Sequence, residues 1–149
     1  MYFTDKKIIE SWVNMKVSAK GIYAAVIMLD ILEYGKASPV VIKEVAARED
    51  IPNKYAEQVV GILSAAGLVK SARGPKGGYR ATDKAQKSTI GTILRLTEGV
   101  LKEQDLEIDN LCLDIVFKDL KAAVDEALDR YTLPQLLEMK QEAGNNYVI

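Results

Sequence analysis

The residues best placed to do chemistry in this chain are cations rather than acids, bases or nucleophiles. Lys70, Arg73, Lys76, Arg80, Lys84 and Lys87 fall within eighteen residues against a single Asp83, and Gly74-Pro75-Lys76-Gly77-Gly78 lies among them. Such a run is the electrostatic footprint of a polyanion contact or, more plainly, a solvated basic loop, and the neighbouring pattern has to decide. The formal net charge of −1 hides it, because residues 16–87 hold 12 Lys/Arg against 7 Asp/Glu while residues 88–149 hold 6 against 12. The glycines fit no nucleotide loop of an enzyme, since their spacing matches neither GxxxxGKS/T nor GxGxxG. They suit positive φ angles and a close approach of backbone to a nucleic-acid phosphate.

Other chemistries lack their carriers. The 149 residues contain no histidine and one cysteine, Cys112. Ser-His-Asp and Cys-His nucleophile systems, HExxH zinc sites and His-containing deaminase sites are therefore excluded. No carboxylate pair demands catalysis, so no enzyme, metal or other cofactor is expected. A single cysteine forms no internal disulfide. Hydrophobic residues at 48% and charged residues at 28% describe a folded chain. Asp5, Lys6, Lys7 and Glu10 interrupt any secretory h-region, and no apolar stretch approaches the ~20 residues that cross a bilayer. A cytoplasmic protein without a membrane contact is expected.

The elements that must position the basic run are mainly helical. Residues 5–13 can form a short amphipathic helix, and Met15 looks like a second beginning. Ser18 to about Tyr34 reads as a buried helix ended by Gly35. A short helix over Val41–Arg48, a tight turn through Glu49-Asp50-Ile51-Pro52 and a helix from Asn53 to about Ala66 follow. In the last of these, Ala56, Val59, Val60 and Leu63 keep the i, i+3, i+4, i+7 rule, and Gly67 stops it. Two helices joined so closely, with small Ala46 where they meet, read as helix-turn-helix. Leu68–Ala72 and Tyr79–Thr82 can pair across the glycine tip as a β-hairpin. A basic hairpin directly after the second helix is a wing.

Beyond the wing, Ile90, Ile93, Leu94 and Thr97 mark a helix closed by Gly99, and an acidic linker runs through Lys102–Asp109. A longer helix covers about Leu111–Arg130. Its apolar residues Leu113, Val116, Phe117, Leu120, Val124 and Leu128 need a partner, either a second copy of the helix or the chain's own domain. A homodimer is the simpler solution. Cys112 then reads as a small buried hydrophobe, with a redox-sensing thiol as the alternative. A last short helix is expected after Pro134. The organisation is thus an extension (1–14), a winged helix-turn-helix domain (15–99), a linker with dimerisation helices (100–140) and a flexible tail (141–149).

On DNA, the second helix should lie in the major groove with Asn53, Lys54, Tyr55, Glu57 and Gln58 over the base edges. Gln58 can pair with adenine, Glu57 can accept from cytosine N4 or repel wrong bases, and Lys54 can reach guanine or phosphate. Asn53 can instead cap its helix. Arg73 and Lys76 should enter or straddle the minor groove, with the backbone of Gly74, Gly77 and Gly78 against phosphate. Ser18 and Lys20, at the start of their helix, are expected phosphate contacts. Tyr79 should pack the base of the wing. A winged-helix module that binds protein rather than DNA is the competing class.

Several stretches in order resemble one family. Met15-Lys16-Val17-Ser18-Ala19-Lys20-Gly21-Ile22-Tyr23-Ala24, Tyr55-Ala56-Glu57-Gln58, Ala66-Gly67-Leu68-Val69 and Arg73-Gly74-Pro75-Lys76-Gly77-Gly78-Tyr79 are similar to the IscR–CymR–NsrR (Rrf-two) family of bacterial winged-helix transcription regulators. The likeness covers about residues 15–140, and Lys76 replaces a glycine often found in the family. It implies a dimer on a partly palindromic double-stranded operator, with a long C-terminal helix crossing to the other subunit.

Several members of that family hold an iron–sulfur cluster through three cysteines and a further ligand. Aligning Phe117-Lys118-Asp119-Leu120 with the family pattern puts Leu111 on the last cysteine position and Asp114 on the histidine position, with Cys112 one residue off. The resemblance therefore implies the cluster-free CymR-type branch, a repressor class tied to cysteine and sulfur metabolism. It also implies a partner: Tyr147, Val148 and Ile149 resemble the tail by which such proteins engage cysteine synthase, whose carboxylate site can capture a peptide end. An apolar tail packed on its own surface is the alternative.

Overall fold

The computed structural model describes residues 18–98 and 109–146. The helix expected over 5–13, most of the acidic linker and Tyr147-Val148-Ile149 lie outside the described residues.

The first helix, α1 (Ala19–Tyr34), is the centre of the molecule. Ser18 caps it, its Oγ accepting from the Gly21 N–H at 3.4 Å, and the Gly35 N–H closes the other end on Ile31 O. It buries Ala24, Ile27, Met28, Ile31 and Leu32, residues spread round the helix because neighbours pack on several sides. α2 (Ile42–Arg48) and α3 (Asn53–Ala65) follow. Asp50 takes φ 51° in the turn between them, a left-handed position that Asp tolerates better than most residues. The inward face of α3 is the expected one: Ala56, Val59, Val60 and Leu63 are all buried. Gly67, at φ +75°, takes the chain out of the helix.

β1 (Val69–Ala72) and β2 (Gly78–Ala81) pair antiparallel, with Val69 opposite Ala81 and Ala72 opposite Gly78. Val40 adds a third, one-residue rung, exchanging both backbone hydrogen bonds with Tyr79 at 2.9 and 2.8 Å. That rung ties the wing to the connector before α2. A four-residue helix α4 (Asp83–Gln86) and then α5 (Ile90–Glu98) return the chain to the core through Ala85, Ile93 and Leu94. The architecture is mainly α with a small β-wing, a winged helix-turn-helix.

α6 (Leu111–Asp129) is capped by Asn110, whose side chain accepts from the Leu113 N–H. α7 (Leu133–Asn146) packs on α1. Leu133 is wholly buried in the common core, with Leu136 and Leu137 against it and Lys140 paired to Glu33 at 2.7 Å. Two expectations are corrected here. The last helix continues through residues 141–146, where a tail was expected, because docking on α1 outweighs the modest helix penalty of Gly144 and Asn145. Cys112 is exposed rather than buried, because it lies in the first turn of a helix that buries no residue at all.

Candidate nucleic-acid interface

α3 presents Asn53, Lys54, Tyr55, Glu57 and Gln58 outward, all exposed and all within its first two turns. The turn geometry explains their orientation. Pro52, not Asn53, occupies the capping position, and its carbonyl accepts from the N–H groups of Tyr55 and Ala56. Asn53 does not cap the helix; its Nδ2 donates to Glu57 Oε1 at 3.0 Å and so restrains that carboxylate. Tyr55 leans on Tyr23 of α1, with ring centroids 6.2 Å apart. This contact brings the start of α1, with Ser18 and Lys20, alongside the start of α3. Lys54 and Gln58 make no hydrogen bond or ion pair within the described residues, so their polar ends are open to a ligand.

α2 is tied to α1 by a pair that no local sequence pattern announces. Asp30, buried among Ile27, Met28 and Ile31, receives Arg48 Nε at 3.0 Å and Nη2 at 2.7 Å. The guanidinium also stacks on Tyr34, 4.6 Å from its centroid. The Asp30 hydrogen bond holds the Arg48 pKa above its ordinary value. Glu49 next to it is pushed up, first by burial and then by the nearby Asp30 charge. A carboxylate inside an otherwise apolar helix face was the available signal.

The six cations of the wing region divide into two groups. Arg80 donates to the carbonyls of Lys36 and Ala37, and Lys84 donates to Ala66 O at 2.7 Å, at the carboxyl end of α3. These two serve the fold, Lys84 meeting orphan carbonyls at a helix end. Lys70, Arg73, Lys76 and Lys87 stay exposed and make no ion pair among the described residues. The glycines also divide. Gly74, at φ +112°, needs its freedom for the tip. Gly77 and Gly78 have an internal reason: a Cβ on either would sit 2.5 Å from a backbone oxygen, that of Ala72 or of Val40. Close approach there is to the protein's own chain, and Tyr79 packs against the core as expected.

The apolar residues of α6 find little cover. Val116 is 60% exposed and Leu120 37%, while Leu113, Phe117, Val124 and Leu128 are half-buried. Leu111 and Ile115, at 75% and 54%, belong to the same uncovered helix and escaped the sequence reading.

The comparisons agree with this geometry. The sequence profile of a family described as "Rrf2: Iron-dependent Transcriptional regulator" matches residues 17–139. The HTH-type transcriptional regulator CymR of Bacillus subtilis (strain 168) is 34% identical over 138 residues, which cover 90% of this chain and 100% of that protein. Among solved structures, T. potens IscR superposes with a TM-score of 0.75 at 35% identity, covering 89% of this chain and 93% of the other. "The Structure of CymR (YrzC) the Global Cysteine Regulator of B. subtilis" gives 0.73 at 33% identity, covering 84% and 98%.

The iron in the profile's description can be tested against the donors present. Iron–sulfur clusters are held by several thiolates. This chain has one cysteine and no histidine, and the Asp114 carboxylate is already paired with Lys118 at 2.7 Å. Among the described residues, no group of three or more His, Cys, Asp or Glu is arranged to hold a metal. The residues present do not fit a cluster. No helix among them is long and apolar enough to cross a membrane.

Proposed function

The chain belongs to the Rrf2 family of DNA-binding transcription regulators, and we propose that it acts as a homodimer which reads a partly palindromic operator and represses genes of cysteine or sulfur metabolism. The observation that carries the DNA-reading part is α3, whose buried face is apolar and whose exposed positions in the first two turns are polar groups and a tyrosine, beside a wing tip with exposed cations.

In this reading Gln58 and Glu57 face base edges, Glu57 held in place by Asn53, and Lys54 reaches guanine or phosphate. Arg73 and Lys76 address the minor groove flanking it, with the Gly74 backbone against phosphate. Gly77 and Gly78 act by letting the hairpin close rather than by touching DNA themselves. Ser18 and Lys20 meet the backbone from the start of α1. The second subunit covers α6 along Leu113, Val116, Phe117, Leu120, Val124 and Leu128. The cysteine link is supported by likeness to the protein described as a global cysteine regulator. We attach a cysteine synthase partner to Tyr147, Val148 and Ile149 on the same likeness, and deleting Val148 and Ile149 should abolish co-purification with that enzyme while leaving operator binding intact.

The direct experiment titrates the protein onto promoter duplexes over a range of salt. Phosphate contacts give a steep fall of affinity with salt. A flat salt response would favour the protein-binding class of winged helix instead.

A thiol-sensing version of this function has one observation in its favour, the exposure of Cys112. It requires that Cys112→Ser remove an oxidant response in operator binding. An unchanged response in that variant would rule the thiol-sensing version out.

A further inference from the structure

The longest helix of the described chain, α6, has nineteen residues and buries none of them. Hydrophobic packing therefore does little to fix its direction relative to the DNA-reading body. A polar clasp at its carboxyl-terminal end is better suited to that. Arg95 of α5 donates from Nη1 to Asp129 Oδ1 at 3.0 Å, and from Nη2 to Asp129 Oδ2 and Asp125 Oδ1, both at 2.8 Å. Thr89 Oγ1 donates to Asp129 Oδ1 at 2.6 Å, and Lys121 pairs with Asp125. Gly91 leaves the room: a Cβ there would lie 2.2 Å from Asp129 Oδ1 and 2.8 Å from Arg95 Nη1. α5 in turn packs on α1, and α1 packs on α3.

We propose that Arg95, Asp125 and Asp129 are positioning residues that set the angle between α6 and α3, and with it the half-site separation that the dimer accepts. The proposal rests on the dimeric DNA-binding reading above. Aliphatic contacts are non-directional and tolerate sliding, whereas a guanidinium that grips one carboxylate with both Nη atoms and a second carboxylate with Nη2 fixes distance and plane. The lever is long. A nineteen-residue helix spans about 28 Å at ~1.5 Å per residue. A tilt of ~10° at the clasp moves its far end by about 5 Å, more than the ~3.4 Å step between base pairs. Half-exposed ion pairs contribute little to stability by themselves, and Arg95 and Asp129 are 36% and 40% exposed. The arrangement's contribution is geometric. Its members lie 30 and 34 residues apart in sequence, which is why no local pattern reveals them.

The test uses full-length protein and duplexes carrying two copies of the half-site recovered from a randomised pool, spaced in one-base-pair steps. Wild type should sediment as a dimer and prefer one spacing. Arg95→Met should stay dimeric but lose about tenfold in discrimination between that spacing and its neighbours, or shift the optimum. Gly91→Ala, which keeps every charge and displaces Asp129, should do the same. Arg95→Asp combined with Asp129→Arg should restore much of the preference, a rescue that general destabilisation would not give. A dimeric Arg95→Met with the wild-type spacing profile overturns the clasp alone. A monomeric wild type overturns the dimer reading and this proposal with it. Should Arg95→Met dissociate the dimer, the Gly91→Ala profile decides by the same criterion.

Discussion

Arg48 grips Asp30 through two hydrogen bonds, 3.0 Å from Nε and 2.7 Å from Nη2, and thereby joins the short helix of the helix-turn-helix to the central helix beneath it. The Asp30 side chain is fully buried and that of Arg48 about one-third exposed. Removing one partner of a buried pair costs several kcal/mol because the other charge is left uncompensated. Asp30→Ala is therefore expected to lower unfolding stability by about 3 kcal/mol, the small end of that range, since solvent reaches Arg48. Urea denaturation checks it, and a loss below about 1 kcal/mol would mean that the pair is dispensable.

Helix and wing should separate functionally. Gln58→Ala is expected to cost roughly 1–3 kcal/mol and to relax preference at one operator position. Lys76→Ala is expected to weaken binding to every sequence and flatten the salt slope by about one ion. Competition assays with single-base operator variants read both. The reverse pattern, with Lys76 governing sequence preference, would exchange the two assignments.

Leu120→Asp together with Val124→Asp should give monomers that bind operator weakly. The uncovered α6 face motivates the pair, and each half-site would then be held singly. Sedimentation velocity reports the outcome. An unchanged dimer would place the interface elsewhere.

α6 should stay clasped to α5 across the neutral range and loosen only in acid. Asp129 is held below its ordinary value chiefly by Arg95; Asp125 is also lowered, Lys121 and Arg95 together outweighing the upward push of burial. Carboxylates with depressed folded-state values add stability above the unfolded value and lose it as pH falls through the folded one. The stability difference between wild type and Asp129→Asn should thus be constant from about pH 5 upward and shrink below about pH 4. Glu49 acts in the opposite sense, its raised value removing stability as pH rises through it. A difference that grew on acidification would contradict this sign.

What could be read from the sequence follows from range. The α3 face was legible because Ala56, Val59, Val60 and Leu63 repeat within one helix. The wing was legible because turn chemistry and charge are local. The rung between Val40 and Tyr79 was not, since a one-residue strand has no periodicity. Nor was the use of Arg80 and Lys84 on backbone carbonyls, whose positions exist only in the folded molecule. Arg95 with Asp129 and Asp30 with Arg48 are pairs between distant positions, and a single sequence does not announce them. The last helix runs on through Gly144 and Asn145, weak helix formers whose intrinsic cost is only about 1 kcal/mol or less each, because packing on α1 prevails.

The central claim is that two copies of this chain read a symmetric DNA site. Repeated selection of bound duplexes from a fully randomised pool, followed by sequencing, tests it most directly. The expected product is an inverted repeat whose half-sites lie about one helical turn apart, roughly 34–36 Å centre to centre. Recovery of no enriched sequence, or of a single unpaired half-site, would contradict it.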